Sequence, residues 1–170
     1  MKVILYMAQS FDGYIATSDF STNFVSNREW ESFIDAINRA GNLITGRTTY
    51  ESMVKRQELK FLDEIKLVAV TTTGVKTSSP NHAVVDSPEK ALGVLKKAGF
   101  KEALISAGPQ LNSSLIRNNL IDEVYIDIEP IILGKGIKLF VDEYLGKKLE
   151  VIDEKWISSN EKQLHYKVIK

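Results

Sequence analysis

Residues 103–111 read ALISAGPQL, a short apolar run that ends in a glycine–proline turn. Such a run is typical of a strand buried on both faces, and proline is favoured at the first position of a helix. The following residues continue that helix, with Leu111, Leu115 and Ile116 on one face. A strand that leads through a tight turn into a helix is the repeating unit of a parallel sheet.

The same alternation of strand and helix runs through most of the chain. A capping box formed by Ser26 and Glu29 predicts a helix that ends at Gly41, and Ser87-Pro88 predicts the start of another. Strands are predicted at residues 2–9, 43–45, 66–71, 103–106 and 123–128, and a closing hairpin at residues 149–157 and 163–169. We therefore predict one α/β domain over residues 1–170, with a mostly parallel central sheet, helices on both faces and an antiparallel carboxy-terminal edge hairpin.

The composition restricts the function. Lys and Arg together number 22, as do Asp and Glu, and this zero formal net charge disfavours a dedicated nucleic-acid binder. Cysteine is absent and the two histidines, His82 and His165, lie far apart, so we expect neither disulfides nor a metal site. Because the sequence has no apolar run of membrane-spanning length and its charge is balanced, we expect a cytoplasmic protein that binds neither membrane nor nucleic acid.

Three predicted turns carry residues suited to an anionic ligand. They are residues 46–49 (GRTT), 71–74 (TTTG) and 106–110 (SAGPQ), and each follows an apolar strand. Glycine lets an anion approach the backbone, the first N–H groups of a helix point towards it, and Arg47 offers a guanidinium for a phosphate. Each turn alone is more simply explained as a tight turn, but together at one sheet edge they favour a nucleotide.

Three segments carry a resemblance to a known family. Residues 10–16, SFDGYIA, are similar to the Ser-x-Asp-Gly-x-Ile-Ala signature of the dihydrofolate-reductase-like superfamily, in its riboflavin-biosynthesis reductase (RibD carboxy-terminal) branch. Residues 46–51, GRTTYE, resemble the Gly-Arg-x-Thr-Tyr/Trp-Glu pattern of that family, and residues 107–140 resemble its carboxy-terminal half in order and spacing. The resemblance covers almost the whole chain and implies a dihydrofolate-reductase-like fold.

The resemblance implies an NADPH-dependent reductase whose cofactor lies across the strand ends. It also implies a heterocyclic substrate, most specifically the 5-amino-6-(5-phosphoribosylamino)uracil of riboflavin biosynthesis, and a homodimer. The implied cofactor residues are Gly46, Arg47, Thr48 and Thr49 for the phosphates, Thr71, Thr72 and Thr73 for the adenosine side, Ala107, Gly108, Pro109, Gln110 and Leu111 for the pyrophosphate, and Ala8 and Ile15 for the nicotinamide.

The proton donor is the least defined part of the predicted site. Dihydrofolate reductases carry a carboxylate on the first helix, and the resemblance puts Trp30 at that position, with Glu29 and Glu31 expected on other faces. We take Glu31 and Asp127 as candidate acids, although the alternation around Asp127 also predicts a solvent-facing position.

Ser10, Asp12 and Trp30 are candidates to face the substrate. Asp12 precedes a glycine, where an Asp side chain ordinarily bonds the local backbone, and Trp30 is either a stacking wall for a ring or part of the core. Two other functions stay open at this point. One is a dihydrofolate reductase in which another carboxylate substitutes, and the other is a non-catalytic NADPH-binding module.

Overall fold

The structure is a computed structural model that describes the backbone of residues 1–170 and the side chains of residues 1–56 and 59–170. The elements follow in the order β1 (Lys2–Ser10), β2 (Tyr14–Ala16), α1 (Asn27–Ala40), β3 (Asn42–Gly46), α2 (Arg47–Val54), a 3-10 helix (Gln57–Asp63), β4 (Lys66–Val70), β5 (Ala83–Val85), α3 (Pro88–Lys97), β6 (Glu102–Ile105), α4 (Pro109–Arg117), β7 (Glu123–Glu129), β8 (Ile137–Lys138), β9 (Lys148–Trp156) and β10 (Lys162–Ile169).

Eight strands form one sheet in the order β5-β4-β3-β6-β1-β7-β10-β9. Neighbouring strands from β5 to β7 are parallel to each other. The pairs β7–β10 and β10–β9 are antiparallel. The predicted α/β fold with a mostly parallel sheet and an antiparallel carboxy-terminal edge is therefore confirmed. Four elements were not predicted: β5, which extends the other edge, β2 and β8, which form a separate antiparallel pair, and the 3-10 helix.

The sheet separates two apolar cores, because successive side chains of a strand point to opposite faces. Leu95 of α3 and Leu115 of α4 pack on one face, and Phe33 of α1 and Tyr50 of α2 pack on the other. Helices on both faces are thus confirmed. None of the helices in the described chain is long and apolar enough to cross a membrane.

The first helix begins and ends where its caps are. Ser26 accepts a hydrogen bond from the Glu29 N–H at 3.0 Å, which stabilises the helix by about 1 kcal/mol. The reciprocal bond of the predicted capping box is absent from the described residues, because the Ser26 N–H donates to Glu129 instead. Gly41 ends the helix with a left-handed φ of 65°.

Candidate functional site

The carboxyl ends of the parallel strands bring the three predicted turns together. Strands β4, β3, β6 and β1 are successive neighbours in the sheet, so the turns that follow them lie side by side along one edge. At roughly 4.8 Å between neighbouring strands, these four turns span about 14 Å. An extended ligand can therefore contact all of them at once.

The starts of α2 and α4 are open towards this edge. Their N-caps, Gly46 and Gly108, make no side-chain capping bond, and a Cβ added to either glycine would meet nothing within 4 Å. An uncapped helix start with open space beside it is the arrangement that binds phosphate. Arg47 and Thr48 lie exposed beside one of these starts, and Arg47 forms no ion pair with any described residue.

The other turn residues divide into exposed and supporting positions. Thr72 and Thr73 are exposed after β4, whereas the Thr71 hydroxyl accepts a bond from the Thr73 N–H at 3.2 Å. In the third turn Gln110 is exposed and Leu111 packs against the apolar core. Thr49 and Pro109 are half-buried, and Ala107 is buried.

Asn112, which the sequence analysis did not single out, fixes the turn at the start of α4. Its side-chain amide donates to the Ala107 carbonyl at 2.8 Å and to the Leu139 carbonyl at 3.1 Å. The side chain is fully buried and its Oδ1 has no hydrogen-bond partner among the described residues. An asparagine inside a helix and one turn past a Gly-Pro start is the sequence signal that points to this role.

The loop after β1 is held by its own side chains. The Ser10 hydroxyl donates to Asp12 Oδ1 at 2.7 Å, and Asp12 accepts the Leu133 and Gly134 N–H groups at 3.1 and 2.7 Å. Asp12 therefore bonds the Ser10 side chain within the turn and the backbone of the segment that follows β7. Ala8 is half-buried and Ile15 is buried on either side of this loop.

Asp127 is 1% exposed, so the prediction of a solvent-facing position is wrong. The reason is that β10 pairs with β7 and places Gln163 directly beside Asp127. The Tyr6 hydroxyl donates to Asp127 Oδ2 at 2.6 Å, and the Gln163 amide donates to Oδ1 at 2.7 Å. Burial raises the pKa of Asp127, and the Tyr6 and Gln163 hydrogen bonds oppose that rise.

Tyr6 is the centre of this hydrogen-bond network. Besides donating to Asp127, its hydroxyl lies 2.9 Å from the Ser32 hydroxyl and accepts from Gln163 at 3.0 Å. Burial, and then the charge of Asp127, raises the pKa of Tyr6 above its usual range, so the phenol remains a neutral donor. Both Asp127 oxygens thus accept hydrogen bonds from within the chain, although burial outweighs these bonds and keeps the pKa of Asp127 above its usual value.

Glu29 is buried on the inward face of α1, beside the half-buried Trp30. Its side chain is 4% exposed, and burial, followed by repulsion from Asp127, Glu129 and Glu161, raises its pKa to about 8. The expectation that Glu29 lies on another face is wrong, because Glu29 shares the inward stripe with Phe33. The spacing of 29, 33, 36 and 37 in the sequence was the signal that identifies this stripe.

Trp30 and Glu31 lie outside this inward stripe. Trp30 is half-buried against Phe33, with ring centroids 5.9 Å apart, and the Arg56 guanidinium lies 5.6 Å from its ring. Glu31 is exposed and its carboxylate pairs with Arg28 at 2.7 Å. The structure therefore does not bring the candidate acid Glu31 to the site, because Glu31 lies on the solvent side of α1.

Two further carboxyls complete the group, and we refer to Glu29, Asp127, Glu129 and Glu161 as the carboxyl cluster. Glu129 is buried and accepts the Ser26 N–H at 2.9 Å, and Glu161 is 7% exposed. Among the described residues, none of the four forms an ion pair with Lys, Arg or His. No three His, Cys, Asp or Glu side chains of the described part are arranged to hold a metal ion.

Fold and site together define an α/β protein of the dihydrofolate-reductase-like class, with two uncapped helix starts at one strand edge beside a group of buried acids. The chain matches the model of the RibD C-terminal domain over residues 1–164, and it belongs to that family.

Individual relatives agree with this membership. The chain is 30% identical to the uncharacterised protein YwjB of Bacillus subtilis (strain 168), with 97% of each chain covered. A candidate riboflavin biosynthesis protein from Shewanella sp. PV-4 is similar in structure with a TM-score of 0.82 at 23% identity, and each chain is fully covered. A diaminohydroxyphosphoribosylaminopyrimidine deaminase/5-amino-6-(5-phosphoribosylamino)uracil reductase from Thermotoga maritima is similar with a TM-score of 0.76 at 16% identity, covering 99% of this chain and 56% of that one.

Proposed function

We propose that this protein is an NADPH-dependent reductase of an aminated pyrimidine, most specifically of 5-amino-6-(5-phosphoribosylamino)uracil. Membership in the RibD C-terminal domain family supports a riboflavin-pathway reductase-like role. The Thermotoga protein supplies the specific form of the reaction. The observation that carries the proposal is the pair of uncapped helix starts, α2 and α4, on neighbouring strands of one parallel edge.

The proposed cofactor follows the order of the strands. The N–H groups at the starts of α2 and α4, with Arg47, would hold its phosphates, and the exposed Thr72 and Thr73 would meet the adenosine side. The β1 turn comes next along the edge, so Ala8 and Ile15 would flank the nicotinamide. When bound, NADPH supplies the hydride, and this chain binds and orients the two reactants.

Glu29 is the group that would hold the proton for this reaction. With a pKa of about 8 its carboxyl is protonated at neutral pH, whereas both oxygens of Asp127 are occupied by hydrogen bonds from Tyr6 and Gln163. The carboxyl cluster is next to β1, because Ser10 at the end of β1 pairs with Glu129 at the end of β7. A proton donor beside the implied nicotinamide position suits reduction of a C=N bond.

A second function, dihydrofolate reduction, is favoured by one observation, which is that a buried carboxyl does lie on the first helix. One panel decides between the two functions: the purified chain is mixed with NADPH and either the phosphoribosylaminopyrimidine or dihydrofolate, and NADPH absorbance is followed. We expect consumption with the first substrate. Consumption with dihydrofolate alone would establish the second function instead.

Binding of NADPH is measured separately by calorimetry. Absence of binding would refute the reductase proposal altogether. Tight binding without consumption by any pyrimidine, pterin or quinone would identify a non-catalytic NADPH-binding module.

We also propose a homodimer, formed through β9. All nine residues of this edge strand are exposed, and the register with β10 places Leu149, Val151 and Trp156 on the sheet face that carries Tyr166. Val151 and Trp156 are 59% and 65% exposed. An unpaired edge with an apolar face is a surface that soluble proteins usually cover.

Sedimentation tests this interface. The parent is expected to be a dimer, and Val151→Lys a monomer, whereas Asp153→Lys on the opposite face of β9 keeps the dimer. A monomeric parent, or a Val151→Lys chain that still dimerises, would exclude this interface.

A further inference from the structure

The turn before α4 has fewer N–H groups to offer than the start of α2. Pro109, at the first helical position, has no N–H, so the donors of this turn are Gly108 and the next residues of the helix. The Gly108 N–H makes no hydrogen bond to a described residue. In α3, which also begins with a proline, the Ser87 hydroxyl caps the helix by accepting the Lys90 N–H at 3.2 Å. The direction of the Gly108 N–H therefore decides how well the turn before α4 can hold an anion.

Asn112 sets this direction through the Ala107 carbonyl. Its side-chain amide donates to that carbonyl at 2.8 Å from inside the fold, where Asn112 is 0% exposed. The peptide bond between Ala107 and Gly108 is trans, and the C=O and N–H of a trans peptide point in opposite directions. Because Asn112 holds the carbonyl inward, the Gly108 N–H is turned outward, towards the open space beside the glycine.

The partners of Asn112 fix the orientation of its amide. Both side-chain N–H groups face carbonyls, those of Ala107 and Leu139, and a flipped amide would place its oxygen against these two oxygens. The Oδ1 of Asn112 is left buried, with no hydrogen-bond partner among the described residues. A buried acceptor without a donor is unfavourable for the fold, because its lost hydration is not replaced. Such local conflicts are expected mainly at positions that serve a function.

The hydrogen bond to Leu139 ties the turn to the chain that follows β7, and we refer to residues 131–141 as the crossing segment. Ser113, the neighbour of Asn112 on α4, is 1% exposed, and its hydroxyl accepts the Val141 N–H of this segment at 2.9 Å. The Asp12 carboxylate holds the other end of the same segment. The turn before α4 and the loop after β1 are therefore fastened to one piece of chain.

We propose that Asn112 is the positioning residue of the turn before α4: it aims the Gly108 N–H at a ligand pyrophosphate and fastens the turn to the crossing segment. This inference rests on the proposed function for the identity of the ligand, a dinucleotide. Asn112 acts through Gly108, since its own side chain is enclosed by the fold. Because one amide holds both the turn and the crossing segment, an anion that steadies the turn also steadies the segment, and the reverse holds equally.

Calorimetry on two buried asparagines tests the proposal. Asn112→Leu keeps the approximate size of the side chain and removes both donors, so we expect the Kd for NADPH to rise about tenfold or more, the effect of one misplaced hydrogen bond to a phosphate. Asn42→Leu is the matched control, because Asn42 is also 0% exposed and donates to the carbonyls of Ala40 and Glu102 at 2.8 and 3.0 Å.

Asn42 lies at the start of β3, at the opposite end of the strands from the turn. We therefore expect Asn42→Leu to lower the melting temperature, as Asn112→Leu does, and to leave the Kd for NADPH unchanged. An Asn112→Leu chain that binds NADPH as the parent does, or an equal loss of affinity in both variants, would overturn the proposal.

Amide resonances provide a readout that a purely structural role would not move. Inorganic pyrophosphate is titrated into the isotope-labelled parent and into both variants, and the Gly108 amide signal is followed. We expect this signal to shift in the parent and in Asn42→Leu, and to stay in place in Asn112→Leu. In the parent, hydrogen exchange of the Val141 N–H should slow when NADPH binds. A Gly108 signal that does not move in the parent would overturn the proposal even if Asn112→Leu fails to fold, and an unchanged Val141 exchange rate would refute the link to the crossing segment.

Failure of this inference and failure of the proposed function can be told apart. A parent that takes up pyrophosphate at Gly108 but binds no NADPH would refute the proposed function and leave the role of Asn112 standing. A parent whose NADPH affinity does not depend on Asn112 would refute this inference alone. In the active enzyme, Asn112→Leu should raise the KM for NADPH about tenfold and leave kcat at saturating NADPH nearly unchanged. A lower kcat with an unchanged KM would contradict a role in cofactor positioning.

Discussion

The two ends of one sheet edge carry groups of opposite charge and hydrogen-bonding character. At the β3 and β6 end, two helix starts and Arg47 offer exposed N–H groups, and the backbone supplies most of them. At the β7 and β10 end, four buried acids meet from three separate parts of the chain. Polarity therefore runs along the edge, from a part that attracts anions to a part that attracts cations.

That polarity suits a reaction between an anionic cofactor and a donor-rich ring. Each reactant is attracted to one end and repelled by the other, so the edge orders the two along its length. The β1 turn lies between the two ends and belongs to neither, because its Asp12 is occupied by the Leu133 and Gly134 N–H groups. The two ends can therefore be altered separately.

The largest effect is expected at the acidic end. Glu29→Gln removes the proton held there, and since general acid catalysis typically contributes a factor of 10² or more, turnover should fall by about 100-fold. NADPH affinity, set at the other end, should remain. Steady-state NADPH consumption with the active substrate measures the first quantity, and calorimetry measures the second.

Glu31→Gln serves as the control for this change, since it lies two positions further along α1 and is exposed. A comparable loss of turnover in both variants would show that the inward position of Glu29 has no special role.

The next effect belongs to the anion-binding end. Arg47→Ala removes one charge-assisted hydrogen bond to a cofactor phosphate, worth about 1.5–3 kcal/mol, so the Kd for NADPH should rise by roughly one to two powers of ten. If Arg47 meets the ribose 2′-phosphate, NADH binding should change much less. Calorimetric titration with both cofactors measures the difference. Arg28→Ala, which removes an arginine from α1 instead, is the control.

An equal loss of affinity for both cofactors would indicate that Arg47 contacts the pyrophosphate, which the two cofactors share. Unchanged binding of both cofactors would show that Arg47 is a surface arginine with no part in cofactor binding.

The two ends also differ in how far the sequence could predict them. The phosphate end lies in contiguous strand–turn–helix segments such as residues 106–110, whose small residues and spacing carry the signal. The alternation also predicted a mostly parallel sheet, but the order of its strands was not predicted. The acidic end depends on which residues of β7 and β10 become neighbours, and no local pattern states that Gln163 lies beside Asp127.

Two errors show the same limit in physical terms. Asp127 alternates with apolar residues as a half-exposed strand residue does, yet β10 covers it, and burial came from tertiary pairing. For Glu29 a local signal did exist, in its spacing from Phe33, but a charged residue within an apolar stripe is ordinarily placed on the solvent side. Buried acids were missed because their burial is itself an exception to hydrophobic patterning.

An effect of intermediate size is expected in the pH dependence of folding stability, and it arises at the acidic end. Folding raises the pKa of Glu29 from 4.5 to about 8, so between these values the folded chain holds a proton that the unfolded chain has released. Stability from this group is therefore present at low pH and lost as the pH rises. At about 1.4 kcal/mol per pKa unit, the free energy of unfolding should fall by roughly 1–4 kcal/mol between about pH 5 and pH 8.

Urea denaturation at both ends of that range measures the fall. Glu29→Gln should flatten it, since the amide does not titrate, while Glu31→Gln should keep the slope of the parent. The same slope in Glu29→Gln and in the parent would assign the pH dependence to other groups.

The smallest effect separates cofactor binding from folding at the anion-binding end. Gly108→Ala adds a Cβ that meets no protein atom within 4 Å and requires no left-handed backbone, so the free energy of unfolding should change by only about 0.5 kcal/mol. Gly93→Ala within α3 meets equally open space and is the matched control. If the space before α4 belongs to a pyrophosphate, the added methyl in Gly108→Ala should weaken NADPH several-fold, whereas Gly93→Ala leaves its Kd unchanged. Equal NADPH affinity in the two variants, measured by calorimetry beside urea denaturation, would mean that no ligand group approaches Gly108, and the polarity of the edge would then rest on α2 and Arg47 alone.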